Sequence, residues 1–189
     1  MNIINKVNKY LLCFLLLIIG SCLFAENNKK ESWLELYSIS GRCKMLFPDM
    51  PQHLKQKIPS KDGKYLDCDI YVVQQKKNVS FFLVIAHYSS NIEKEKYVDG
   101  LKNFLSGIMS HGQDNELVTS SFAEVEEYPS LDFLIHSKGN LLKGRTVIAE
   151  NKLYLIAVEC DQKNYKDKWF DKFVKSFNFV RNFPFLRQK

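Results

Sequence analysis

The chain has 189 residues, 46% of them hydrophobic, and a formal net charge of +6. That length is enough for one domain with a real core. Its 27 Lys and Arg are interleaved with 21 Asp and Glu, without the clustered basic face that nucleic-acid binding calls for, so nucleic acid is excluded as the expected partner.

Lys6 and Lys9 precede an apolar run over 10–19, and Gly20-Ser21-Cys22-Leu23-Phe24-Ala25 follows. A basic start, an apolar stretch and small residues make the layout of a secretory signal. The run is too short for a bilayer-spanning helix, which takes roughly 20 residues. Residues 1–25 are therefore read as a signal peptide and the protein as exported: periplasmic, membrane-anchored as a lipoprotein, or otherwise secreted. Two cuts compete. Ile18-Ile19-Gly20-Ser21-Cys22 has the form of a bacterial lipobox, and cleavage after Ser21 leaves Cys22 as a lipidated first residue. Acyl chains contributing roughly 0.8 kcal/mol per buried methylene then hold the protein to a membrane. In the other reading the cut follows Ala25, Cys22 is discarded, and polar Glu26-Asn27-Asn28 opens the mature chain.

Residues 26–37 read as a tether whose end, from Leu34, begins order; 38–179 read as a single α+β domain, and 180–189 as a basic tail. A strand over 42–47 stops at Pro48 and Pro51, which cannot donate to a ladder. A weaker strand spans 52–58, and Ser60-Lys61-Asp62-Gly63 makes a turn. Over 65–73, Leu66, Cys68, Ile70 and Val72 alternate with Asp67, Asp69 and Tyr71, the pattern of a half-buried strand. The nearly continuous apolar stretch 79–88 predicts a central strand covered on both faces. Tyr97, Val98, Leu101, Phe104, Leu105, Ile108 and Met109 recur at helical spacing, and Gly112 ends that helix. Four alternating segments follow over 117–160, separated by Tyr128-Pro129-Ser130, Gly139-Asn140 and Glu150-Asn151, which predicts an antiparallel meander. An aromatic stripe from Tyr165 through Trp169, Phe170 and Phe173 to Phe177 predicts a second helix over 165–177. The fold class is α+β: a mainly antiparallel β-sheet covered by two longer α-helices.

Three stretches carry a resemblance: Cys43-Lys44-Met45-Leu46-Phe47-Pro48-Asp49-Met50-Pro51, Lys152-Leu153-Tyr154-Leu155-Ile156-Ala157-Val158, and Phe173-Val174-Lys175-Ser176-Phe177. Together they resemble the PsbP-like fold, which includes small bacterial exported proteins and lipoproteins. The resemblance implies an accessory or assembly factor and carries over no catalytic residue.

Cleavage after Ala25 leaves Cys43, Cys68 and Cys160, all expected to point inward. Three reduced core thiols is one reading, and a Cys43–Cys68 disulfide between adjacent strands is the other. His53, His87, His111 and His136 show no metal-ligand spacing, so no metal and no cofactor are expected. Cys160 with His136 is the best nucleophilic pair available, because Cys160 precedes the second helix, but no elbow motif surrounds it. Asp67 with Asp69, and Glu124 with Glu126 and Glu127, read as solvated strand faces, and 139–145 as a hairpin.

The expected function is binding without catalysis: an envelope protein assisting a protein complex at a membrane surface. The contact surfaces expected are the bare sheet face and the loops around Pro48–Pro51 and Tyr128–Ser130. The alternative is a carrier of an apolar small molecule or lipid between helix and sheet, lined by Phe81, Phe82, Phe104, Trp169, Phe170 and Phe173.

Overall fold

The computed structural model describes residues 33–59, 65–111 and 114–181. The signal peptide, Cys22, the turn at Ser60–Gly63, Gly112 and the tail beyond Arg181 lie outside them. In chain order the elements are β1 (Leu34–Ser38), β2 (Cys43–Phe47), β3 (Gln52–Pro59), β4 (Tyr65–Gln75), β5 (Val79–His87), α1 (Tyr97–His111), β6 (Glu116–Val125), β7 (Tyr128–Ser137), β8 (Asn140–Ala149), β9 (Lys152–Asp161), α2 (Asp167–Lys175) and β10 (Asn178–Phe179). Seven strands form one sheet in the order β3-β4-β5-β9-β8-β7-β6, and β1-β2-β10 form a second. Every paired neighbour is antiparallel.

The periodicity predicts two longer helices over one sheet, and the structure corrects this. Strands dominate, and the helices are small, with 15 residues in α1 and nine in α2. The aromatic stripe over 165–177 is not one helix. Tyr165 is extended, with ψ 137°, and the helix stops at Lys175. Ser176 draws the chain aside: its hydroxyl donates to the Phe173 carbonyl at 2.6 Å and accepts the Leu46 N–H at 2.9 Å. Phe177 then packs edge-on against Tyr154 at 5.5 Å, and the chain enters β10. Aromatic spacing reports burial at Phe170, Phe173 and Phe177 but not the change of backbone type along the stripe.

The apolar run in β5 explains the layering. Phe82, Val84 and Ala86 point into a core shared with Leu101, Phe104 and Ile108 of α1. Phe81, Leu83 and Ile85 point the other way, toward Met45 and Phe47 of β2 and Phe170, Phe173 and Val174 of α2. Burying each such side chain contributes about 1.5–3 kcal/mol. The sheet face expected to be bare therefore carries the small sheet and α2. Trp33 lies edge-on to Phe81 at 5.8 Å, and Leu36 of β1 packs against the same core.

Tight turns set the meander. The β6–β7 turn is Glu126-Glu127, with Glu126 at φ 54°, and Tyr128-Pro129-Ser130 lie in β7 rather than in a loop. Pro129 is tolerated there because the ladder to β8 begins one residue later, at Ser130↔Val147. The β7–β8 turn has Lys138 at φ 50° and Gly139 at φ 84°, the left-handed pair that suits a two-residue hairpin.

Candidate functional site

The pattern of β4 sends Leu66, Cys68, Ile70 and Val72 toward α1, leaving Asp67, Asp69 and Tyr71 on the opposite face. Asp67 behaves as expected, exposed and 3.3 Å from Lys57. Asp69 does not: its side chain is only 7% exposed. The β1–β2 turn covers it. Gly41 in that turn lies so close to Ile85 that a Cβ would overlap the Ile85 side chain, so only glycine permits this approach. Ser40 Oγ donates to Asp69 Oδ2 at 2.7 Å. His53 Nε2 lies 2.8 Å from Oδ1, and His87 Nε2 lies 3.1 Å from Oδ2. An ionised carboxylate only accepts, so each imidazole presents Nε2–H. The His53 ring is stacked on Tyr71 at 4.3 Å. Tyr71 Oη donates to Ser38 Oγ at 3.1 Å, and Tyr154 Oη donates to the Gly41 carbonyl at 2.8 Å.

Burial alone would push the Asp69 carboxyl up, but hydrogen bonds from Ser40, His53 and His87 outweigh it and hold the group below the ordinary aspartate range. Asp69 occupies the centre of this cluster, and the Ser40 hydroxyl is spent on the carboxylate, not on an imidazole. Nucleophilic catalysis needs a base against the nucleophile. The arrangement here clamps the β1–β2 turn onto β3, β4 and β5.

A second feature is β6, at the end of the large sheet, bonded among the described residues only to β7. Most of its side chains are exposed, among them Leu117 at 39%, Val118 at 50% and Phe122 at 51%. The ladder slips between Leu117 and Thr119, placing a bulge at Val118. Lys102 of α1 lies over the Phe122 ring at 5.9 Å.

One solved structure places this architecture. The solution structure of cyanobacterial PsbP (CyanoP) from Synechocystis sp. PCC 6803 superposes with a TM-score of 0.56, covering 85% of this chain and 98% of that one, at 14% identity. The chain has the PsbP-like fold. No protein-family model and no curated protein sequence matches it.

Within the PsbP-like fold the sequence candidates fall apart or change role. Cys43 lies in the core toward the small sheet, and Cys68 in the core toward α1, so the large sheet separates them. Cys43, Cys68 and Cys160 are buried free thiols. Burial pushes Cys43 and Cys68 up to about 12 and Cys160 up to about 11. Cys160 sits in β9 with Leu141 of β8 beside it, and His136 of β7 lies beyond Leu141 in the same row. Two strand spacings, roughly 9–10 Å, separate the pair. His136 Nε2 is buried with no hydrogen-bond partner among the described residues.

Glu126 accepts the Phe179 N–H at 3.1 Å, and Arg181 lies 3.0 Å from Glu127. Glu124 is on β6. Arg145, in the stretch 139–145, forks onto both oxygens of Asp132 at 2.6 and 2.7 Å. Among the described residues no three His, Cys, Asp or Glu side chains are grouped to hold a metal, and no helix is long and apolar enough to cross a membrane. Phe81, Phe82, Phe104, Phe170 and Phe173 are core, and Trp169 packs at the margin of that core.

The clamp is not legible along the chain because Ser40, which covers Asp69, is 29 positions away and the two histidines reach it from the neighbouring strands. The one signal available was His53 in a strand next to the Asp67/Asp69 alternation.

Proposed function

We propose that the protein is an exported component of the cell envelope that works by binding a protein partner, as an accessory or assembly factor at a membrane surface. The observation that carries this reading is the apolar exposure on β6, where Leu117, Val118 and Phe122 stand out on a strand that the described residues pair on one side. Exposed apolar side chains gathered on one element mark interaction sites. The layout of residues 1–25 supports export, with Cys22 as the lipid anchor if the cut falls after Ser21. The fold shared with cyanobacterial PsbP agrees with a binding role. The wiring of Asp69 agrees as well, since it spends its polar groups on holding a turn in place.

The test is affinity capture of the full-length protein from the envelope of its native host, comparing wild type with Phe122→Lys. The expected result is a partner recovered with wild type and depleted with the variant. Equal recovery with both, or recovery of lipid alone, overturns the reading.

A further inference from the structure

We infer that the partner docks by adding an extended strand to the outer edge of β6, a strand apolar at its centre and cationic at both ends. This rests on the binding reading above and names how the contact is made.

The two edges of the large sheet differ. On β3, one edge, His53, Lys55 and Lys57 are exposed, and Pro51 and Pro59 bracket or end the strand. Lysine and proline are the usual guards that stop an edge from pairing with another chain. On β6, the other edge, ten residues run without one Lys, Arg or Pro, and past the bulge at Val118 the stretch from Thr119 to Val125 keeps an unbroken register. No described residue pairs with its outer side. A strand left this way presents a row of backbone donors and acceptors, which is the template used when a peptide adds to a sheet.

The side chains define the occupant. Leu117 pairs with Ile135, Ser120 with Phe133 and Phe122 with Leu131. Ile135, Phe133 and Leu131 all face the α1 core, so Leu117 and Phe122 flank the free edge on the α1 side. An added strand with β-branched or aromatic residues on that side extends the apolar surface past Phe122. Glu116 and Glu124 stand at the two ends of β6, both exposed, and neither has an ion-pair partner among the described residues. Opposite charges across adjacent strands attract and like charges repel. The ends of the added strand should therefore carry Lys or Arg. A second copy offering its own β6 brings two more carboxylates and is the poorer fit.

The probe is a synthetic nine-residue peptide of alternating Val and Thr with Lys at each end, added to the full-length protein and read by amide hydrogen exchange and fluorescence anisotropy. The expected result is slowed exchange in β6 and none in β3. The same peptide with Glu at both ends binds roughly twofold to tenfold more weakly. N-methylation of two consecutive central residues, which blocks both peptide edges, abolishes binding. No protection of β6, equal protection of β3, or undiminished binding of the N-methylated peptide overturns the inference. Protection of β6 that rises with protein concentration in the absence of peptide also overturns it, because it makes a second copy the occupant. The binding reading fails separately, when wild type and Phe122→Lys recover the same envelope proteins.

Discussion

Asp69 and His87 meet across adjacent strands although the register sets Asp67, and not Asp69, opposite His87. The imidazole reaches along the strand to Asp69 Oδ2 at 3.1 Å, and His53 closes on Oδ1 from the other neighbour. A carboxylate gripped by three donors under a covering turn holds two parts of the fold together.

Asp69→Asn removes the charge that these donors serve. At neutral pH the variant should lose about 1–3 kcal/mol in urea unfolding. The pH dependence has a definite sign. The folded-state pKa is depressed, so the stabilisation is present above the unfolded value of about 3.9 and is lost as pH falls through the folded value. The gap between wild type and variant should therefore narrow in acid. A gap that widens below pH 4 contradicts the assignment.

Glu159 behaves in the opposite way. Burial raises its pKa, and a hydrogen bond from Asn140 offsets this only in part. A raised folded-state pKa means that stability falls as pH rises from about 4.3, the ordinary glutamate value. Glu159→Gln should be more stable than wild type at pH 7 and indistinguishable near pH 3. Thermal unfolding at the two pH values checks this.

Gly144 in β8 faces Phe133 in β7, and a Cβ there would run into the ring. Phe133 is 2% exposed and has little room to move. Gly144→Ala should cost about 1–3 kcal/mol by overpacking. Chemical denaturation reads the loss, and an unchanged midpoint would contradict the packing described.

The three core thiols should be inert. Burial keeps Cys43, Cys68 and Cys160 protonated at pH 8, and the thiolate is the reacting species. Iodoacetamide should leave all three unlabelled in the native protein and label all three in guanidinium, with no prior reduction. Peptide mass mapping that finds Cys43 linked to Cys68 would contradict the separation of the two cores.

Much of the fold can be read locally. Alternation in β4, the continuous apolar run of β5 and the turn at Gly139 each reflect contacts within or beside the element. The division into two sheets cannot, because β2 is closed by β10, more than a hundred residues later. The candidate site divides in the same way. Leu117, Val118 and Phe122 sit in a segment that reads as a strand, but its place at the sheet edge follows from the order of seven strands. Asp69 reads as solvent-facing because its cover comes from the β1–β2 turn. Tyr128-Pro129-Ser130 reads as a turn because proline usually interrupts a ladder, and here the ladder to β8 begins just past it.

Binding of a partner at β6 is read by a photo-reactive phenylalanine analogue at position 122 of the full-length protein, irradiated in intact cells, with the same analogue at position 57 on the opposite edge as the control. One discrete adduct from position 122 that contains a second protein, with no such adduct from position 57, is the result predicted. Equal capture from both edges, or no protein adduct from position 122, would contradict the account.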